Sequence, residues 1–197
     1  MVCLVSFPRS GQHMLRNLLE NMCKRYDIFF QYCEYYRCCR STPCKYKSNF
    51  MKNHDFALDT TCTDTHFKGS LDINPNEKYI IFYRKDVVEQ LEAWYRYFHK
   101  KYDLESAATF CSQKLPYYES FVNKWVKSGK DNVLVVDYNE FVSSPYELLF
   151  TIMSFLYPDK IKTICMDDIR EVVDFHYVQK RNSLTPDVRE YITKRLH

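Results

Sequence analysis

Apolar residues in this chain gather in short unbroken runs that alternate with stretches of helical spacing, and that alternation predicts the fold. Val2 to Phe7 is an apolar run closed by Pro8, which reads as a short buried strand. Met14, Leu15, Leu18, Leu19 and Met22 follow at helical intervals. They predict a helix from Ser10 to about Tyr26, ended by Lys24, Arg25 and Asp27. Ile28-Phe29-Phe30 predicts a further short strand. Lys78 to Tyr83 is the strongest strand candidate, because it is rich in β-branched and aromatic residues and does not alternate, as expected for a strand covered on both faces. A helix carrying Val87, Leu91, Trp94 and Phe98 on one face follows at once.

Downstream, Leu104 to Ser128 predicts one or two helices, with Pro116 as a candidate start and Ser128-Gly129 as a stop. Asn132 to Val136 reads as another buried strand, ended by Asp137-Tyr138. Ser144 then caps a helix that begins at Pro145, buries Leu148, Leu149, Ile152, Phe155 and Leu156, and ends before Pro158. Met166 to Phe175 is predicted helical, and Thr185-Pro186-Asp187 opens a final helix through Leu196. Strands alternating with helices imply an α/β fold with a central parallel sheet flanked by helices. Ligands of such sheets bind at the carboxyl ends of the strands, where Arg9, His54, Arg84 and Tyr138 all fall. No linker, repeat or low-complexity stretch interrupts residues 1–197, so a single domain is expected.

Composition sharpens this only in places. The 197 residues suffice for one real core, and the 3 glycines make Gly11 conspicuous. A net charge of +3 is too small to attract nucleic acid in bulk, and suits a local site for a polyanionic small molecule. No apolar run approaches the ~20 residues of a membrane span. The opening residues do not have the form of a signal peptide. A soluble, cytoplasmic protein is therefore expected.

Cysteine is abundant, with 9 in the chain. Cys33, Cys38, Cys39 and Cys44 cluster in a basic, irregular segment, Gln31 to Ser48, interrupted by Pro43. Three readings stand: zinc, although C-x4-C-C-x4-C is not a pair of C-x2-C motifs; disulfides, which an odd total does not favour; and, as the first choice, free thiols packed among Phe30, Tyr35 and Tyr36. The segment itself reads either as an acceptor-binding loop or as plain surface.

The richest chemistry lies between the first strand and first helix, in Arg9-Ser10-Gly11-Gln12-His13. A strand, a tight turn and a helix aim backbone N–H groups and a positive helix end at an anion. Arg9 adds fixed charge, Ser10 a hydroxyl donor, and Gly11 lets backbone approach closely. The pattern G-x-x-x-x-G-K-[ST] is absent, so an ordinary ATP or GTP site is not expected. The plain alternative is a turn that binds nothing.

Phe7-Pro8-Arg9-Ser10-Gly11 resembles the 5′-phosphosulfate loop of sulfotransferases, roughly [YF]-P-[KR]-S-G-[TN]-[TH]-[WL]. That family moves a sulfuryl group from 3′-phosphoadenosine 5′-phosphosulfate (PAPS) to an acceptor. The resemblance implies a P-loop-like, nucleotide-kinase-like three-layer domain, with Arg9, Ser10, Gly11, Gln12, His13 and Met14 along the cofactor; Gln12-His13-Met14 departs from the usual threonine pair and tryptophan. Lys52-Asn53-His54 is similar to the family's K-[TS]-H element, which implies His54 as general base and Lys52 as a sulfate ligand. Asp64-Thr65-His66 is similar too, but an aspartate there would repel sulfate, so His66 is the second choice. Arg84 resembles the 3′-phosphate arginine of R-x-P-x-D-V-x-x-S, with Gln90 at the serine position. Tyr138 matches the tyrosine of V-L-x-x-x-Y, near the adenine. Gln179-Lys180-Arg181, before Leu184-Thr185, resembles the W-K-x-x-L-T ending and offers Lys180 and Arg181 to phosphate.

Sulfuryl transfer needs cations and donors at the phosphosulfate and a base at the acceptor, and requires no metal. The expectation is a sulfotransferase acting on a hydroxyl or amine of a small molecule or glycan. The alternatives are a kinase-like nucleotide-binding protein and a degenerate, non-catalytic module that binds the desulfated nucleotide PAP.

Overall fold

The computed structural model describes residues 1–41, 44–64, 71–99 and 103–182, with side chains through Tyr177. Five strands form one parallel sheet in the order β2-β3-β1-β4-β5: β1 is Val2–Ser6, β2 Tyr32–Glu34, β3 Phe50–Asn53, β4 Lys78–Tyr83 and β5 Val133–Asp137. β1 is central. Leu4 lies opposite Lys52 of β3 on one side and Ile80 of β4 on the other. The helices are α1 (Gln12–Arg25), α2 (Val87–Phe98), α3 (Leu104–Phe121), α4 (Tyr138–Ser143), α5 (Pro145–Leu156) and α6 (Met166–Asn182).

Strand pleat divides the core in two. Leu4, Ile80 and Phe82 point to one face, where Leu15, Leu18 and Met22 of α1 meet Leu149 and Ile152 of α5 and Val173 of α6. Cys3, Val5, Tyr79 and Ile81 point to the other, under Leu91 and Trp94 of α2, Tyr117 and Phe121 of α3, and Trp125. Each fully buried Leu, Phe or Ile stabilises this packing by roughly 1.5–3 kcal/mol. The crossover after β1 covers one face and the helices after β4 cover the other, so the chain switches direction between these two neighbours. A crevice forms at the carboxyl ends of strands at such a switch.

The structure corrects three expectations. The strand predicted at Ile28–Phe30 is instead β2, farther along. Asp27 takes a left-handed φ of 51° and the Ile28 amide returns to the Cys23 carbonyl, so these residues finish the end of α1. The Asn49 side chain, bonded to the Gln31 amide and the Phe29 carbonyl, then starts the pairing with β3. Pro116 does not begin a helix but lies inside α3. Asp103 caps the true start by accepting from the Ser106 amide at 2.7 Å, while buried Tyr117, Tyr118 and Phe121 hold the second half down. Helical winding continues as a wider turn over Val122–Val126. Ser144 stands before Pro145 as expected, but its side chain makes no capping bond. The final helix predicted beyond Thr185 lies outside the described residues.

Candidate active site

The loop after β1 is built tightly. Arg9 has φ 68° and Gly11 φ 86°, so two of three neighbouring residues are left-handed. A side chain at Gly11 would be strained by that φ and would meet the Tyr138 ring. Ser10, fully buried, donates to the carbonyls of Phe7 and Phe82, both at 2.7 Å. Its hydroxyl proton ties the loop to β4 and does not face outward. Gln12 is likewise internal: Nε2 donates to the Leu4 carbonyl at 2.6 Å, and Oε1 accepts from the Ser6 hydroxyl at 2.5 Å. Met14 is core, 4% exposed among the α1 and sheet side chains. Of the loop from Phe7 to Met14, then, Arg9, the backbone and His13 remain for a ligand.

What that backbone presents is distinctive. α1 begins at Gly11 with no side-chain cap and no acidic residue in its first turn. The other α-helices all carry one there: Glu89, Glu105, Glu140, Glu147 and the pair Asp167-Asp168. The first amides of a helix have no partner within it and carry the positive end of its dipole. Among the described α-helices, only α1 leaves that charge without a carboxylate from its own first turn.

Cations crowd the same rim. Lys52, on β3 beside β1, places Nζ 3.5 Å from His13 Nε2 and 3.9 Å from the Glu34 carboxylate. Burial, then Lys52, Arg16 and Arg9, hold the His13 imidazole below its ordinary value. Burial, with Arg37, Arg16 and Arg9 against the opposing pull of Glu34, likewise lowers Lys52. The exposed Arg9 guanidinium lies 4.3 Å over the Tyr97 ring.

His54 follows β3 directly and is half-buried. Its Nδ1 sits 2.7 Å from the Ser6 carbonyl. A carbonyl can only accept, so Nδ1 carries the proton and Nε2 keeps the lone pair. Burial and the Lys52 ammonium push this imidazole down to about 3, so it is neutral at physiological pH and is a weaker proton acceptor than an ordinary histidine. Neighbours grip the turn on both sides. Asn53 Oδ1 accepts from the Asp55 amide at 2.6 Å and from the Tyr36 hydroxyl at 2.8 Å. The Tyr36 hydroxyl also accepts from the Phe56 amide at 3.0 Å. Tyr117 donates to the His54 carbonyl. Asp55, left-handed at φ 50° and fully buried, receives Lys124 Nζ at 2.7 Å and Trp125 Nε1 at 2.9 Å. Sequence reasoning missed Asn53, Asp55, Tyr36 and Tyr117. The polar triplet Asn53-His54-Asp55 directly after an apolar strand was the available signal. A cleft of about 250 Å³ lined by Phe56, Ala57, Asp59, Thr60 and Cys62 opens beside it, with the Phe56 ring 5.2 Å from His54.

Arg84 ends β4 on the same rim. The Phe7 amide bonds the Phe82 carbonyl at 3.2 Å. Gln90, fully buried, donates to the Pro8 carbonyl at 2.6 Å and accepts from the Arg84 amide at 3.1 Å. Gln90 is therefore the strut between the two basic strand ends, with both ends of its amide engaged. The Arg84 guanidinium lies 4.1 Å over the Tyr138 ring and pairs with Glu89, while its Nε is buried with no hydrogen-bond partner among the described residues. Tyr138 opens α4 and thus touches both Arg84 and Gly11. Lys180 and Arg181 belong to the last turn of α6, but their side chains lie outside the described residues, as does His66.

The four clustered cysteines lie beyond Lys52, at the sheet edge. Their sulfurs are all within 4.8 Å of one another, and the chain's cysteines are all unpaired as disulfides. Among the described residues no helix is long and apolar enough to cross a membrane. Neither a protein-family model nor a curated protein matches this chain.

Proposed function

We propose that this chain is a PAPS-dependent sulfotransferase on a P-loop-like domain. One observation carries the reading: a neutral histidine of fixed tautomer, His54, stands beside Lys52, Arg9 and the acid-free start of α1. An anion and an acceptor proton are thereby served within one crevice. The β2-β3-β1-β4-β5 order, with the cradle after the central strand, supports the same reading.

In this mechanism the 5′-phosphosulfate lies across the first amides of α1, with Lys52, Arg9 and His13 around its oxygens. The acceptor, a small molecule or glycan presented from the Phe56–Cys62 cleft, gives its O–H or N–H proton to His54 Nε2. The acceptor atom bonds to sulfur as the bond from sulfur to the bridging phosphate oxygen breaks. PAP leaves with the new negative charge, which the cations and helix dipole stabilise. His54 becomes an imidazolium whose Nδ1–H stays on the Ser6 carbonyl. Arg84 and Tyr138 would take the 3′-phosphate and adenine ends, with Lys180 and Arg181 as further phosphate partners. The same chemistry needs neither nucleic acid nor membrane, and a cytoplasmic location fits it.

Calorimetry with PAP and with ATP tests this, followed by mass spectrometry of acceptor panels incubated with PAPS. PAP is expected to bind at least about tenfold more tightly than ATP, through its second phosphate, and sulfated product is expected. ATP binding as tightly as PAP would overturn the reading in favour of a kinase-like protein. The pairing of Arg84 with Glu89 favours a second reading, a non-catalytic PAP-binding module. PAP binding without turnover on any acceptor would establish that one instead.

A further inference from the structure

The edge of the sheet carries a constellation that sulfuryl transfer does not use. Cys33 sits on β2 opposite Met51 of β3. Cys38 and Cys39 follow the short helical turn Tyr35–Arg37, and Cys44 returns to the group. The Cys33 and Cys39 sulfurs are 3.8 Å apart and the Cys39 and Cys44 sulfurs 3.5 Å. A disulfide would bring two of them to about 2.05 Å and leave the others no reason to converge. A tetrahedral ion with metal–sulfur bonds of about 2.3 Å sets its ligands about 3.8 Å apart. All four sulfurs fall within 4.8 Å of one another, and the 3.5 and 3.8 Å separations lie close to that edge length. They are too short for an iron–sulfur cluster, whose several metal atoms hold the thiolates farther apart.

We propose that Cys33, Cys38, Cys39 and Cys44 form a structural zinc site. Both ligand pairs have four intervening residues, the upper end of ordinary zinc-knuckle spacing. Zinc has no electronic preference that an unusual C-x4-C-C-x4-C arrangement would violate, and the same ligands hold it more tightly than ferrous iron. Binding converts four thiols to thiolates and releases their protons, leaving a centre of net charge −2. The segment is charged to suit it: Arg37, Arg40, Lys45 and Lys47 stand against Glu34 alone. Backbone amides of Ser41 and Lys45 also reach the Cys39 sulfur and those of Tyr46 and Ser48 the Cys44 sulfur, although the Cys39 thiol itself donates to the Ser41 carbonyl at 3.6 Å. Such N–H donors orient and stabilise bound thiolates. Cys33 and Cys44 are buried and Cys38 exposed, so the ion would be shielded from below and reachable from outside.

The site has a clear mechanical consequence. Tyr36 lies between the first two ligands, and its hydroxyl joins Asn53 to the Phe56 amide across His54. Zinc would hold the segment that keeps the His54 turn in place, whatever reaction that turn serves.

The full chain, purified without chelator, should carry about one zinc per molecule by elemental mass spectrometry. After removal of the metal under reducing conditions, cobalt(II) should restore the intense thiolate-to-metal charge-transfer and visible bands of a tetrahedral thiolate site. Cys38→Ser, an exposed position expected to fold, should hold zinc at least about tenfold more weakly in chelator competition, while Cys165→Ser keeps it unchanged. In hydrogen exchange, the metal-free protein should lose protection over 33–56. The proposal is overturned if reduced wild-type protein takes up no zinc on reconstitution, if iron alone is bound, or if Cys38→Ser and Cys39→Ser retain zinc as tightly as wild type.

Discussion

Two strand–turn–helix units stand side by side on one rim, and they differ in how their charge is balanced. After β1, helix α1 starts uncapped by any side chain, with no acid in its first turn, and Arg9, His13 and Lys52 repel one another there. After β4, helix α2 starts on Asp86, which accepts from the Glu89 amide at 3.0 Å, and Glu89 itself pairs with Arg84. Both units put an arginine at the end of a strand. The acid near the first, Glu34, comes from another strand and lies 3.9 Å from Lys52, whereas the second has Glu89 within its own helix pairing with its arginine. Basic residues in matching positions therefore do not make matching sites: the partner each cation already holds decides whether a ligand adds attraction or must compete for it.

The largest effect should come from the base at the open rim. His54→Ala should lower sulfuryl transfer by about 10²–10⁴-fold while PAP affinity changes little; unchanged turnover would move the base to His66. Gly11→Ala comes next. The left-handed φ and the Tyr138 ring should together cost about 1–3 kcal/mol or more of stability and weaken PAP binding. Gly129→Ala is the matched control, with φ 62° but open space around it, and should lose only about 1–2 kcal/mol, the cost of the left-handed backbone. Equal melting temperatures for the two variants would show that the Tyr138 contact does not constrain the loop. Glu89→Gln tests the closed rim directly. Releasing Arg84 should tighten PAP binding about three- to tenfold in calorimetry, whereas unchanged affinity would mean that Arg84 serves only to hold Tyr138 and α2.

The layers of this fold were legible in the sequence because both faces of β1, β4 and β5 are covered, and covered strands appear as unbroken apolar runs. β2 was not, since its position depends on where α1 stops, and that is set by the left-handed Asp27 and by Asn49 from a distant segment. The site was legible in its charges and less so in its roles. Arg9, His54, Arg84 and Tyr138 follow neighbouring parallel strands and share a rim, as their strand ends suggested. Ser10, Gln12 and Gln90 have the donors a phosphate needs, yet their hydrogen bonds run to Phe82, Leu4 and Pro8. Spacing along the chain cannot reveal such partners, because they lie on other strands. The cysteines show the same limit in reverse: their clustering was legible in the chain, but the approach of the four sulfurs to within 4.8 Å depends on how the segment folds at the β2 edge.

The smallest expected effect is the most specific to the open rim. His13 is held below its ordinary value by burial and by surrounding cations. A bound polyanion would offset that repulsion and raise it. PAP binding should then take up protons, so affinity should increase as pH falls below the ordinary histidine range near 6.5. Each unit of upward shift is worth about 1.4 kcal/mol at most, and solvent around this exposed ring should leave only a fraction of that, about a two- to fivefold change in affinity. His54 should not contribute, because burial in the folded protein already places its titration at about 3. His13→Ala should therefore flatten the pH dependence, and His54→Gln should leave it intact. Calorimetry in buffers of different ionisation enthalpy reads the proton uptake directly. Uptake that persists in His13→Ala would assign the linkage to another group and remove His13 from the groups that sense the bound anion.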